Sequence, residues 1–373
     1  MKITGVAAIP LAIPYRPMDP PSPWTDGIRR QILVRVATDE GFTGWGEAFA
    51  LGAPRAVCAV IEEVLAPLLL GESPTEIERL SDRLQRATLL FGRRGIGMFA
   101  LSGVELALWD VVGKLRGVPV YELLGGLVQA RVPAYLSLLR YDRPDQVAAA
   151  ARRAVAQGFR AVKLHQTDVA SVRAAREAVG DGIALMLDVN CPWSPAEAIR
   201  MGRALAPYDL AWLEEPVWPP EDYRGLAEVA AALETPVAAG ENEATVFGFR
   251  EMITQRAVDI LQPSLTKVGG LGEAKKICAL AAAFNVAVAP HSFYFGPGLA
   301  ATLHLVASTP GLAWLEFPGG ELETPLLTEP IQAVGGAVPV PSGPGLGVTV
   351  NEAAVQRYPY GAGPAPLFTT ASR

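Results

Sequence analysis

Three acidic side chains each follow a short apolar run, and the three runs succeed one another along the chain. The residues are Asp188 in LMLDVN, Glu214 in WLEEP and Glu241 in VAAGE. Carboxylates held close together repel one another unless a cation lies among them. Because hard oxygen ligands favour Mg²⁺ or Mn²⁺ over zinc, the pattern predicts a magnesium or manganese site. The alternative is that each acid pairs separately with a helix arginine.

Basic side chains occupy neighbouring positions of the same pattern. Lys163 and His165 stand two residues apart in AVKLHQ, so on a strand they share one face. A second histidine, His291, ends the run VAVAPH. A cation with a basic group on each flank suits removal of a proton from the carbon next to a carboxylate, because the enediolate formed is doubly negative. Lys163 and Glu316 would donate hydrogen bonds to that enediolate. The alternative for each histidine is a structural role, which is our interpretation of His304 in LAATLHLVAS.

The elements that must position these residues recur with a regular period. Eight β-prone runs begin between residues 134 and 313 at intervals of 22 to 27 residues, with alanine-rich amphipathic segments between them. This alternation predicts a (β/α)₈ barrel, whose active site forms at the carboxyl ends of the strands. An open doubly wound sheet is the alternative, but AYLSLLRYDRPD lacks the glycine-rich turn that usually follows its first strand. The residues at the predicted strand ends are Lys163, His165, Asp188, Asn190, Glu214, Glu241, Ser264, His291 and Glu316.

The first third of the chain differs from this repeat. Two strand-like segments, 1–13 and 29–49, are followed by three helical segments around 54–70, 74–91 and 97–116. This order predicts an antiparallel α+β arrangement.

The chain therefore divides into a predicted capping domain and a predicted barrel. We expect the capping domain over 1–130, the barrel over 131–320, and a terminal segment over 321–373 that returns to the capping domain. The proline-rich loop 14–27 carries Trp24, which could cover a ligand. An ordinary surface loop is the alternative.

Composition excludes several classes of partner. The formal net charge is −6 and there is no basic tract, which argues against nucleic acid and against an anionic membrane surface. The three cysteines are widely spread, which suits a reducing compartment and indicates neither a disulfide framework nor a zinc site. No apolar run is long enough to span a bilayer. We expect a soluble, cytoplasmic homo-oligomer acting on a small molecule.

Taken together, the motifs resemble the enolase superfamily, and within it the mandelate racemase and muconate lactonizing enzyme branch. The resemblance covers essentially the whole chain, from GFTGWGEA and ALSGVELALWDVVGKLRGVPVYELLGG through LDVN, WLEEP, AAGEN, QPSLTKVGG, PHSF and WLEF to PGLGVTV. It implies a modified (β/α)₇β barrel with an α+β cap. It also implies Mg²⁺ held by Asp188, Glu214 and Glu241, and abstraction of the α-proton of a carboxylate substrate.

The resemblance assigns further roles, with two departures from the common pattern. Lys163, Asn190 and Glu316 match positions that contact the substrate, the first and last of them at its carboxylate. His165 stands where the family usually has a lysine base. Ser264, at the edge of the substrate site, stands where the aspartate partner of His291 would be. Lys267, three residues on, matches an ordinary turn position.

These departures lead to one hypothesis and several alternatives. We expect His165 to remove the α-proton and His291 to protonate a departing β-hydroxyl, which dehydrates a sugar acid to a 2-keto-3-deoxy acid. Within the family, a racemase, epimerase or lactone cycloisomerase is the alternative. Outside it, Lys163 could form the Schiff base of an aldolase, or the chain could be a non-catalytic relative. We expect Trp24 and three further cap residues, Arg29, Phe49 and Leu51, to select the substrate.

Overall fold

The computed structural model describes residues 1–17, 22 and 25–361. Trp24, predicted to cover the ligand, lies outside the described residues. The strands are β1 (Ile3–Pro17), β2 (Ile28–Thr38), β3 (Thr43–Ala48), β4 (Arg131–Ser137), β5 (Ala161–Leu164), β6 (Ala184–Asp188), β7 (Leu210–Glu214), β8 (Val237–Ala239), β9 (Ile260–Leu261), β10 (Ala287–Val288), β11 (Leu315–Pro318), β12 (Gly320–Leu322) and β13 (Ala337–Pro339).

Helices alternate with most of these strands. They are α1 (Pro54–Ala59), α2 (Ala66–Leu69), α3 (Ile77–Ala87), α4 (Ile96–Arg116), α5 (Val120–Leu123), α6 (Pro144–Ala156), α7 (Val169–Val179), α8 (Pro195–Leu205), α9 (Tyr223–Ala232), α10 (Thr245–Thr254), α11 (Leu271–Ala283), α12 (Pro297–Ser308) and α13 (Glu352–Arg357). A π-helical turn, Val60–Leu65, joins α1 to α2, and a 3₁₀ turn, Ala206–Tyr208, follows α8.

An antiparallel sheet in the order β12-β1-β2-β3 forms the cap. The segment 29–49, predicted as one strand, folds as the hairpin of β2 and β3, because the turn between them ends a continuous extended run. Helix α4 packs on this sheet, and the two glycines of GWGEA allow the close approach. A Cβ at Gly46 would lie 2.0 Å from the carbonyl oxygen of Gly103, and one at Gly44 would lie 2.2 Å from that of Ala107.

Eight parallel strands, β4 to β11, form the barrel. They follow the order β10-β9-β8-β7-β6-β5-β4-β11, and the helices α6 to α12 follow the first seven strands in turn. The strand β12, and not a helix, follows β11, because the chain returns there to the cap sheet. The fold is therefore the (β/α)₇β barrel with an α+β cap, as the resemblance implied.

Alternation along the barrel strands separates an apolar floor from a polar layer. The floor is a cluster of inward side chains, namely Tyr135, Ala161, Met186, Trp212, Ala238 and Ala289. Successive side chains of a strand point to opposite faces, so the residues two positions further on also point inward. Along β4 to β7 these are Ser137, Lys163, Asp188 and Glu214, all of them buried. The predicted site thus lies on the floor, at the carboxyl ends of the strands.

The segment after β11 contacts both parts of the molecule. β12 pairs with β1 of the cap, whereas β13 pairs antiparallel with β4 of the barrel. The Ala12 N–H of β1 also donates to the Tyr358 carbonyl. The division of the chain at residues 130 and 320 stays a prediction.

No apolar run of membrane-spanning length was expected from the sequence, but among the described residues helix α4 is long and apolar enough to cross a membrane by length and composition. In an 18-residue window of this helix, 78% of the residues are buried inside the structure. The helix packs against β2 and β3, and its apolar surface forms part of the cap core.

Candidate active site

The three predicted metal ligands lie together at the barrel mouth. Asp188 ends β6, Glu214 ends β7 and Glu241 follows β8, and one carboxylate oxygen from each lies within 4.8 Å of the other two. Two oxygens on one Mg²⁺ ion are up to about 4 Å apart, so small side-chain rotations let all three bind one ion. The donor set, three buried carboxylates, therefore fits a hard divalent cation.

Lys163 lies beneath these acids and is completely buried. Its Nζ is 2.8 Å from Glu214 Oε1, 2.9 Å from Glu316 Oε1 and 3.5 Å from Asp188 Oδ2. Burial by itself would lower the pKa of Lys163, but Glu214 and Glu316 outweigh burial and hold this pKa well above its usual range. The amine therefore stays charged. A Schiff base needs a neutral amine, so this environment disfavours the aldolase alternative.

His165 is held at the Asp188 end of the cluster. Its Nε2 lies 3.1 Å from Asp188 Oδ2, and its backbone carbonyl accepts a hydrogen bond of 2.9 Å from Arg140 Nε. Among the described residues, its Nδ1 is buried without a hydrogen-bond partner. A carboxylate that accepts from Nε2–H leaves the lone pair of a neutral imidazole on Nδ1. The geometry thus gives His165 one nitrogen that can take a proton.

His291 lies at the Glu241 end and has two hydroxyl partners. Its Nε2 is 3.3 Å from Glu241 Oε2, and its Nδ1 is 3.1 Å from Ser264 Oγ and 3.2 Å from Tyr294 Oη. The two hydroxyls also hydrogen-bond each other. Burial lowers the pKa of His291 despite the opposing charge of Glu241, so the ring is neutral at physiological pH. In this neutral ring Nε2–H donates to Glu241, and Nδ1 accepts from a hydroxyl.

Tyr294 is a site residue that the sequence analysis missed. It stands three positions after His291 in PHSFYF, so the loop after β10 brings both into one cluster. Because Ser264 replaces the aspartate implied by the resemblance, a second polar partner for His291 could have been sought near this loop. Nothing in the spacing alone distinguishes Tyr294 from the neighbouring phenylalanines.

Glu316 and Asn190 complete the predicted set, in different environments. Glu316 Oε2 accepts a hydrogen bond of 2.7 Å from the Ser292 N–H. Burial opposes ionisation, but Lys163 and His291 lower the pKa of Glu316 to about 2. Glu316 is therefore ionised, and Lys163 is the hydrogen-bond donor of this pair. Asn190 is exposed at the mouth, and its N–H donates to Asp188 Oδ1 at 2.9 Å.

A surrounding layer of residues orients the acids. Lys267, which the resemblance placed at an ordinary turn position, also forms an ion pair with the acid cluster: its Nζ lies 2.9 Å from Glu241 Oε1. The Trp212 Nε1–H, which the sequence analysis also missed, donates to Glu214 Oε2 at 2.9 Å. Glu215 is buried and accepts a hydrogen bond of 2.8 Å from the side-chain amide of Asn242.

Two further polar residues lie apart from the cluster. Glu243 pairs with Arg94 at 2.7 Å. His304 is fully buried, where its Nδ1 accepts from the Tyr121 N–H and its Nε2 lies 3.0 Å from the Leu346 carbonyl oxygen. Both contacts are structural.

Two family models match most of the chain. The model described as "Enolase C-terminal domain-like" matches residues 146–354, and the model of the mandelate racemase / muconate lactonizing enzyme N-terminal domain matches residues 14–125. The chain belongs to the mandelate racemase/muconate lactonizing enzyme family of the enolase superfamily. The superfamily generally uses Mg²⁺, and the cluster of Asp188, Glu214 and Glu241 could bind such an ion.

Relatives of this family member include dehydratases and cycloisomerases. It is 35% identical to an arabinonate dehydratase of Saccharolobus solfataricus over 88% of this chain and 90% of the relative. It is also 35% identical to a D-galactarolactone cycloisomerase of Agrobacterium fabrum, over 88% and 91% respectively. The crystal structure of a 3,6-anhydro-D-galactonate cycloisomerase from Zobellia galactanivorans superposes with a TM-score of 0.88 at 30% identity, over 97% of this chain and 100% of that one.

Proposed function

We propose that this enzyme dehydrates a sugar acid to a 2-keto-3-deoxy acid, with Mg²⁺ held by Asp188, Glu214 and Glu241. The observation that carries the proposal is the pair of histidines at opposite ends of the buried acid cluster, one at Asp188 and one at Glu241. Several of the relatives are named as dehydratases of arabinonate, D-xylonate and D-galactonate, which supports this chemistry.

Binding of the substrate carboxylate comes first. The charged Lys163 donates to a carboxylate oxygen, and the Asn190 side chain at the mouth contacts the substrate from the solvent side. When bound, the metal ion supplies positive charge against the oxygens of the enediolate. The carboxylates of Asp188, Glu214 and Glu316 hold Lys163 in place, so its donor is oriented before the reaction begins.

Proton transfer then divides between the histidines. His165 Nδ1 takes the α-proton, and Asp188 holds the Nε2–H side of the ring throughout. His291 acts as the acid in its protonated form: it delivers the Nε2 proton to the β-hydroxyl as the C–O bond breaks, the hydroxyl leaves as water, and the ring returns to its neutral form. The resulting enol then tautomerises to the 2-keto product. The hydroxyls of Ser264 and Tyr294 hydrogen-bond Nδ1 of His291 in both forms: Nδ1–H donates to a hydroxyl oxygen in the protonated ring, and Nδ1 accepts from a hydroxyl in the neutral ring.

A second candidate is lactone cycloisomerisation. It begins with the same proton abstraction, but the ring oxygen of a lactone leaves in place of a hydroxyl. The relative named D-galactarolactone cycloisomerase favours it. The same pair of histidines would serve both reactions, so the arrangement of the site is compatible with either.

The test is a screen of aldonic acids, aldaric acids and their lactones with the Mg²⁺-loaded enzyme. Formation of a 2-keto-3-deoxy acid from an open-chain acid, abolished by a chelator and restored by Mg²⁺, is the expected result. Turnover of lactones alone would favour the cycloisomerase. Exchange of the α-proton for deuterium without any 2-keto product would favour a racemase, and activity unaffected by the chelator would contradict the whole scheme. Cytoplasmic location and homo-oligomeric assembly remain predictions from the sequence.

A further inference from the structure

Two buried acids of the cap accept hydrogen bonds from the backbone of the barrel. Glu47 of β3 is 2% exposed, and its Oε2 accepts from the Gly298 N–H at 2.9 Å, in the first turn of α12. Glu105 of α4 is also 2% exposed, and it accepts at 2.8 Å from the N–H groups of Leu271 and Gly272, the first two residues of α11. Neither acid takes part in the proton transfers.

The glycine turn before α11 is shaped to the Glu105 carboxylate. Gly270 has a φ of 90°, and a Cβ at this position would lie 2.1 Å from Glu105 Oε2. One residue earlier, the Gly269 N–H donates to Ser102 Oγ of α4 at 2.9 Å. Three N–H groups at the start of α11 are therefore bonded to side chains of a single cap helix.

The same turn carries two side chains of the site. Ser264 lies at its beginning, and the Ser264 carbonyl accepts from the N–H groups of Lys267 and Val268, each at 2.8 Å. Lys267 pairs with Glu241, and Ser264 Oγ hydrogen-bonds His291 Nδ1. A shift of the glycine turn would therefore move one partner of Glu241 and one partner of His291.

The loop that Glu47 holds carries His291 itself. It runs from the end of β10 to α12, and Gly298 follows His291 in the run HSFYFGPG. Arg29 of β2 holds the same loop, because its Nη2 donates to the Phe293 carbonyl at 2.6 Å. Both loops that form the surroundings of His291 are thus bonded to the cap.

The base half of the site is held differently. His165 Nε2 lies 3.1 Å from Asp188 Oδ2, and the His165 carbonyl accepts from Arg140, which follows β4. Both partners belong to the barrel. The two histidines therefore differ in the part of the molecule that orients them.

We propose that Glu47 and Glu105 are positioning residues for His291, so that the cap aligns the acid of the reaction while the barrel aligns the base. The inference rests on the proposed function and gives the cap a part in its protonation step. A misplacement of about 1 Å can lower the rate of a chemical step by about 100-fold. Loss of either carboxylate should therefore slow departure of the hydroxyl more than it slows removal of the α-proton.

The experiment measures the ratio of α-deuterated substrate to 2-keto acid formed by the Mg²⁺-loaded enzyme in D₂O. Both species come from one enediolate, so changes in KM or in the folded fraction cancel in this ratio. The measurement is made at about pH 8, above the pKa of about 7 that burial gives both carboxyls.

Three substitutions should change this ratio to different extents. Glu47→Ala should raise it by about 10-fold, whereas Glu47→Gln keeps an acceptor oxygen for Gly298 and should raise it by less than about 2-fold. Glu105→Gln should also raise it by about 10-fold, because the N–H groups of Leu271 and Gly272 need both carboxylate oxygens. Glu105→Gln keeps the shape of the side chain and serves if Glu47→Ala folds poorly.

Asp110→Asn is the matched control. Asp110 is a buried acid of the same helix α4, but it accepts from the N–H groups of Trp45 and Leu346, outside the two loops. Its substitution should lower stability in urea and change the ratio by less than about 2-fold. An unchanged ratio in Glu47→Ala and Glu105→Gln, or an equal rise in Asp110→Asn, would overturn the inference while dehydration stands.

The ring ¹⁵N resonances of the histidines test the inference without turnover. The chain has three histidines, so the signals of His291 can be assigned by their loss in His291→Asn. Glu105→Gln should shift the ring resonances of His291 and leave those of His165 in place. If no acid is turned over, the proposed function fails, and unchanged His291 resonances in Glu105→Gln would separately overturn the positioning role.

Discussion

Two hydroxyls lie beside His291, and we expect that either one can serve as the hydrogen-bond partner of Nδ1 when the other is absent. Ser264 Oγ and Tyr294 Oη lie at nearly equal distances from the same nitrogen, 3.1 and 3.2 Å from Nδ1. Either hydroxyl can satisfy this single acceptor when the other is removed. We therefore expect Ser264→Ala and Tyr294→Phe each to have a small effect and the double variant to have a large one.

The magnitudes follow from what each variant leaves behind. A neutral hydrogen bond contributes about 1 kcal/mol, and in each single variant a second hydroxyl remains, so kcat/KM should fall by about 2- to 5-fold. In the double variant the buried Nδ1 has no partner, which costs about 1 to 3 kcal/mol and corresponds to a loss of about 5- to 150-fold. With central values of about 2 kcal/mol for the double variant and about 0.5 kcal/mol for each single variant, the coupling energy between the two positions should be about 1 kcal/mol.

The assay is a double-mutant cycle on kcat/KM for dehydration, with urea unfolding of each variant as the control for stability. Tyr294→Phe keeps the edge-to-face contact of the two rings, whose centroids are 5.7 Å apart, so any loss reports on the hydroxyl. Strictly additive effects of the two substitutions would refute the shared role, and a fully active double variant would remove both hydroxyls from the mechanism.

Three further predictions concern the buried charges. Lys163→Met should lower kcat by about 100- to 1,000-fold, because it removes a preorganised donor to the enediolate. The measurement is steady-state kinetics at saturating Mg²⁺, and an unchanged kcat would exclude that role. Glu105 accepts from two N–H groups at the start of α11 and from the indole of Trp109. Glu105→Ala should therefore lower the free energy of unfolding in urea by about 3 kcal/mol. The control is Glu122→Ala at an exposed position, which should change this free energy by less than about 0.5 kcal/mol. Equal effects of the two substitutions would contradict the role of the Glu105 carboxylate as a buried hydrogen-bond acceptor. Burial raises the pKa of Glu47 and of Glu105 to about 7 from an ordinary value of 4.5. The stability they contribute is complete below the ordinary value and lost as pH rises through about 7, so the urea midpoint should fall mainly between about pH 4.5 and pH 7. It should fall less in Glu105→Gln, and an equal fall in that variant would argue against the raised pKa.

The barrel and its acid cluster could be predicted because they depend on period and sequence order. Strands at intervals of 22 to 27 residues put their last residues on one rim, so Asp188, Glu214 and Glu241 had to be neighbours once the barrel was assumed. Lys163 and His165 followed from the two-residue period of a strand. Such inferences need no knowledge of side-chain packing.

Contacts between the cap and the barrel could not be predicted in the same way. Arg29 was expected to influence the choice of substrate, but its hydrogen bond to the Phe293 carbonyl depends on where the Phe293 loop meets β2, which lies more than 260 positions away in sequence. Tyr294 was missed because its role depends on the path of an irregular loop. The protonation state of Glu316 likewise depends on how close Lys163 approaches, which the strand pattern does not determine.

The most direct test of the central claim is α-proton exchange in D₂O with the Mg²⁺-loaded enzyme and a substrate that the wild type dehydrates. His165→Asn should lose both exchange at the α-carbon and formation of the 2-keto acid, because the base is absent. His291→Asn should retain exchange and lose the 2-keto product, because only the protonation of the leaving hydroxyl is impaired. Loss of exchange in His291→Asn with His165 intact would make His291 the base and would contradict the assignment.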